Sequence, residues 1–120
     1  MPYTRDAAAN NTAVVIRTGV TRLLSVKAAQ RASAATALFV QLFNTASITP
    51  GTTVPVAVLT VPAGNTNMDA TVLKANFSGT KGGAEFTTAL GYCVTTTATG
   101  STAPTAGQEP ELIIRWEPLG

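Results

Sequence analysis

The sequence predicts an all-β chain, folded as an antiparallel β-sandwich or a jelly-roll or Greek-key barrel of seven to eight short strands. Three observations predict this. Segments rich in β-branched and aromatic residues recur at intervals of about ten to fifteen residues. Clusters of Gly, Pro, Asn and Thr separate them and punctuate the chain as turns do. The apolar residues mostly alternate, and only one stretch carries a helical composition.

The elements follow in order. Residues 1–11 read as an N-terminal arm ahead of a single sandwich domain over 12–120, since Arg5 to Asn11 is polar and alanine-rich with no strand alternation. Ala13 to Arg17 is β-branched and ends at Gly19. Val20 to Ala28 alternates unevenly, with Leu24, Val26 and Ala28 on one side. Leu23, Leu24, Lys27, Ala28, Ala29, Gln30, Arg31 and Ala32 are also good helix formers, so a helix competes with a strand between residues 20 and 37. Thr36 to Thr45 is the clearest strand. Leu38, Val40 and Leu42 face one way and Phe39, Gln41 and Phe43 the other, so both faces are largely apolar and the strand is central. Ile48 to Thr53 turns at Pro50-Gly51. Pro55 to Val61 is a strand bounded by prolines, which suits a sheet edge or a strand start. Ala63 to Asn67 is a loop, Thr71 to Phe77 a strand, Lys81-Gly82-Gly83 a turn, and Glu85 to Thr87 a short strand. Leu90 to Thr97 is a Thr-rich strand, and Thr99 to Glu109 a long exposed loop. Glu111 to Glu117 closes the domain, with Leu112, Ile114 and Trp116 on one face and Ile113, Arg115 and Glu117 on the other.

Composition then narrows the function. At 120 residues the chain fits one domain, which can bury roughly two-thirds of its unfolded surface without staples. Hydrophobic residues make up 45% and charged residues 12%, which argues for a folded chain. Thr, Ser, Asn, Gly and Ala must cover such a low-charge surface, and a neighbouring protein desolvates them at little cost. The net charge is +2 and the eight basic residues are scattered in sequence, which speaks against nucleic-acid binding. The N-terminal residues lack the apolar run of a secretory leader, and no apolar stretch approaches the ~20 residues of a membrane helix. Synthesis in a reducing cytoplasm and no membrane partner are expected.

The chemistry-bearing residues are few. The chain has no histidine, so imidazole bases, Ser-His-Asp triads and His-ligated metals are excluded. Cys93 is the single cysteine, set between Tyr92 and Val94 in an apolar strand, and reads as a buried inert thiol. The carboxylates Asp6, Asp69, Glu85, Glu109, Glu111 and Glu117 show no spacing that marks a glycosidase pair. Asn65 to Asp69 alternates oxygen ligands but lacks the glycine and closing glutamate of a calcium loop. No phosphate-binding glycine loop occurs. The sequence therefore predicts no catalytic residue, no cofactor and no metal.

One layout stands out: Gly19 to Ala28, then Thr36 to Asn44, Thr52 to Pro55, Val61 to Gly64, and Ala89 to Thr97. It resembles small β-sandwich virion proteins of tailed bacteriophages, of the capsid decoration or cement type, over residues 14 to 117. The resemblance implies a non-enzymatic protein that binds the major capsid protein lattice, or another virion protein, and stabilises the head, often as a trimer. It transfers no functional residue. A tail, tail-tube or head-fibre component is the alternative, as is a small carbohydrate-binding module with a platform built from Tyr3, Tyr92 or Trp116. Homo-oligomerisation, as a trimer, is also expected from the two-faced strand at Leu38 to Phe43, which one small domain has trouble covering. The residues expected to meet a partner are Tyr3, Arg5 and Asp6 on the arm, with Ile113 and Trp116 on the last strand.

Overall fold

A computed structural model describes residues 3–29, 37–62, 72–76, 84–104 and 109–119. The described residues form nine strands and no helix: β1 (Tyr3–Asp6), β2 (Val14–Thr18), β3 (Thr21–Ala29), β4 (Leu38–Phe43), β5 (Ala57–Val61), β6 (Val72–Asn76), β7 (Ala84–Phe86), β8 (Ala89–Thr95) and β9 (Glu111–Pro118). All pairings are antiparallel. Sheet A runs β1-β9-β3-β6, with β7 also beside β3, and sheet B runs β2-β8-β4-β5.

This order is that of a jelly roll. β6 and β7 pair with successive halves of β3, so together they occupy one strand position. First pairs with last, β2 with β8, β3 with β6 and β7, and β4 with β5: a single long hairpin ribbon. Rolling the ribbon up brings β9 against β3 and β8 against β4, which closes two sheets over one core.

Between the sheets lie Leu23, Val26 and Ala28 of β3, Leu112 and Ile114 of β9, Leu38, Val40 and Leu42 of β4, and Leu90, Tyr92 and Val94 of β8. Along β3 the inward residues are spaced unevenly because the β3–β9 register slips between Leu23 and Ser25. A bulge absorbs the extra residue, so Leu23 and Val26 both point inward although three positions apart. That spacing imitates a helical period. The stretch is a strand over 21–29, Leu23 rather than Leu24 belongs to the core, and residues 30–36 lie outside the described ones.

β8 is buried at every position, on both faces. Its second face, with Gln41 and Phe43 of β4, is roofed by two loops of the same chain. Residues 44–56 fold back over it from the β4–β5 turn, and residues 96–104 come from the opposite end. Ile48 sits over Gly91 so closely that a Cβ there would lie 2.4 Å from its Cδ1 and 3.0 Å from the Val14 carbonyl oxygen. The two loops meet where Gly51 packs on Ser101, at 3.1 Å from an added Cβ to the serine Cβ. Gly51 itself has φ +85°, and Thr52 N–H donates to the Thr49 carbonyl at 3.0 Å, the signature of a type II turn on Pro50-Gly51. The apolar second face of residues 38–43 is therefore covered within the chain, and does not need a neighbouring subunit.

The N-terminal segment departs from expectation. Residues 3–6 are not a projecting arm but the edge strand of sheet A, in register from Tyr3↔Arg115 to Asp6↔Leu112. Ala9 is fully buried and its N–H donates to the Pro110 carbonyl at 2.9 Å, while Asn10 accepts from Val94 N–H at 2.8 Å.

Candidate interaction surfaces

The strand geometry divides the five residues expected to meet a partner. Tyr3, Arg5 and Ile113 fall on the outer face of sheet A, because alternation along β1 and β9 turns them from the core. Tyr3 is 64% exposed. Arg5 donates from Nε to Glu111 Oε2 at 2.9 Å, a partly solvated pair. Asp6 and Trp116 face the other way. Asp6 accepts from the Tyr92 hydroxyl at 2.7 Å, and Trp116 Nε1 donates to Thr4 Oγ1 at 3.2 Å. Asp6 and Trp116 thus hold β1 onto the sandwich. Tyr92 is buried in the core, and the half-buried Trp116 packs against that core.

Among the described residues, the interior Cys93 thiol and Tyr92 phenol both hold their protons more tightly than usual. Burial pushes the Cys93 thiol up to about 11. Burial, then the hydrogen bond and charge of Asp6, raises the Tyr92 phenol well above its ordinary value. Beside Cys93, Gln41 is fully buried and its Nε2 donates to Thr95 Oγ1 at 2.6 Å and to the Gly100 carbonyl at 3.0 Å. Thr95 passes the bond on to the Thr97 carbonyl at 2.6 Å. This network ties the 96–104 loop to the roofed face of sheet B. Part of the loop expected to be exposed is therefore a lid, with Pro104 buried.

The ends of the sandwich carry a feature that sequence patterning missed. Val54 and Val56 are 81% and 60% exposed, yet they stand on a well-tied loop. Thr49 N–H donates to Thr53 Oγ1 and Thr53 N–H to the Thr49 carbonyl, both at 2.8 Å, and Val56 N–H donates to the Leu42 carbonyl at 2.8 Å. Pro55 between them stiffens the backbone. Val56 walls a cleft of about 180 Å³, also lined by Leu42, Ala57, Ala84 and Phe86, with Asn44 and Glu85 as its polar members. Asn44 is occupied in shaping it, since its Oδ1 accepts from Thr88 N–H at 2.8 Å and its Nδ2 donates to Thr87 Oγ1 at 3.1 Å. The signal was present as Val-Pro-Val after a Pro-Gly turn, but a strand start explained it equally well.

Among the described residues no three acidic or cysteine side chains come together in a metal-binding group. The oxygen-rich segment Asn65 to Asp69 lies outside the described residues, as do the turn at Lys81 to Gly83 and the loop at Ala63 to Asn67. Comparison with family models, with curated proteins and with solved structures returned no match.

Proposed function

We propose that this chain is a non-enzymatic structural protein of a phage virion surface, a cement or decoration protein that docks on the capsid protein lattice and stabilises the head. The observation that carries the reading is the rigid display of Val54 and Val56 beside an apolar cleft. Apolar side chains held out by a hydrogen-bonded loop invite a covering protein, and covering them contributes about 1.5 kcal/mol each. A cleft of this size suits one large apolar side chain from the partner as an anchor. The jelly roll supports the reading only by analogy, since viral capsid domains, lectins and cupins share it. The low-charge, Thr-rich surface points the same way. Self-association as a trimer belongs to this proposal too, resting now on the valine end and not on β4.

The test is sedimentation and negative-stain imaging of the protein mixed with purified virions lacking it. The parent should coat the heads. Val54→Ser/Val56→Ser should bind at least tenfold more weakly, yet keep its stability within about 0.5 kcal/mol because both residues are exposed. Coating of the tail alone would move the assignment to a tail component, and no association with virions would overturn it.

A further inference from the structure

We infer that the edge of β5 takes up an extended, uncharged segment of the partner protein as a fifth strand of sheet B, with one large apolar side chain of that segment seated in the cleft beside Val56. The inference deepens the docking proposed above and rests on a partner binding at that end of the sandwich. Sheet edges are ordinarily guarded against further pairing by charge, proline or a bulge. β1 carries Arg5 and Asp6, β6 has Lys74 at its centre, and β7 has Glu85. β2 carries Arg17 and a register shift beside it. β5 has none of these guards within Ala57–Val61. It pairs with β4 in unbroken register, and β4 is its one ladder partner among the described residues. No Asp, Glu, Lys or Arg occurs between Arg31 and Asp69, so β4, β5 and the 44–56 loop bring no charge of either sign to this side.

The cleft selects what the added strand carries. Alternation along β5 turns Ala57, Leu59 and Val61 toward the core, and Val58 and Thr60 outward. The cleft of about 180 Å³ opens between the sheets beside β5: sheet B lines it with Leu42 and Ala57, and sheet A with Ala84 and Phe86. A strand added about 4.8 Å outside β5 aims every second side chain toward this gap. Apolar walls favour a Leu, Met or Phe there, while Glu85 among the lining residues repels an acidic side chain. Main-chain hydrogen bonds to β5 then supply affinity, and the cleft fixes the register. A second copy of this chain does not meet the requirement. Its matching edge is its own β5, whose inward Ala57, Leu59 and Val61 are engaged in its own core and cannot enter the cleft. The segment therefore belongs to a partner, where its side chains are not already packed in a sandwich.

The test uses the full chain and a blocked peptide of alternating Thr and Val with one central Phe. Titration followed by amide chemical shifts should give saturable changes at Ala57–Val61. Replacing the peptide's Phe by Ala should weaken binding at least tenfold, and so should methylating its backbone nitrogens along the edge that faces β5. Failure to bind, or binding that ignores both changes, would overturn the inference. Concentration-dependent broadening of the β5 amides without peptide, removed by Thr60→Lys, would also overturn it by putting a second copy on the edge. No virion enters this measurement, so the two readings fail separately. Virions coated by a protein that ignores the peptide would sink strand addition alone; peptide binding with virions left bare would sink the virion assignment alone.

Discussion

Tyr92 shows how one side chain serves two layers. Its ring fills the core between the sheets while its hydroxyl reaches the Asp6 carboxylate at the sheet edge. Tyr92→Phe keeps the ring but leaves the carboxylate one donor short, and should lower stability by about 1.5 kcal/mol in chemical denaturation. Cys93 makes the alkaline limit of the fold legible. An unfolded chain releases the thiol proton near its ordinary value of 9.0, whereas the folded chain holds it to about 11. The folded state therefore binds more protons in that window, and stability must fall as pH rises through it. Thermal melts should be flat up to about pH 8 and decline above about pH 9. Cys93→Ala, which has no thiol to ionise, should lose less stability over the same interval; an equal loss would assign the alkaline limit to Tyr92 and its neighbours. The buried thiol was legible from its neighbours in the sequence. The Asp6–Tyr92 bond was not, because it joins residues that are far apart in the chain and belong to different sheets.

At the scale of elements, the strands that were easiest to read are those whose inward residues are apolar. β4, β5, β8 and β9 lie within two residues of where alternation puts them. β1 escaped because its periodicity is inverted: Tyr3 and Arg5 face out, while the inward residues Thr4 and Asp6 are polar and satisfied by Trp116 and Tyr92. A hydrophobic pattern is silent in a strand held by polar bonds. The consequence is testable. Deleting residues 2–11 should lower the melting temperature by about 10 °C or more, because it removes a ladder, the buried Ala9 and the Asp6 contact together. A truncated protein that melts within a few degrees of the parent would restore the arm. β3 misled in the opposite direction, since its bulge spaces Leu23 and Val26 like a helix and its alanines and lysine favour one. The long-range β9 ladder decides the matter, and no local propensity reports on it.

On the scale of the whole molecule, the class of fold was legible and the strand order was not. Turns and strand spacing mark a sandwich or barrel, but the pairing of first strand with last depends on how a ribbon rolls, which leaves no local trace. The same limit explains the oligomer argument. Two apolar faces on residues 38–43 were correctly read, but the covering partner is the chain's own pair of loops. Those loops give the molecule a layered stability. The roof over sheet B is held by Gln41, Ile48 and the meeting of Gly51 with Ser101, contacts separate from the core between the sheets. Such a layer can lift while the sandwich beneath stays closed, as cooperative units do in local opening. Cys93 lies under that roof and is the one thiol, so its rate of modification is a clock for the lifting motion. Gln41→Leu cuts the tie to the 96–104 loop, and should speed labelling of Cys93 by a disulfide reagent at least tenfold in native buffer. Its amide exchange between the sheets should stay near the parent's, the mark of a lid that breathes faster over an unchanged floor.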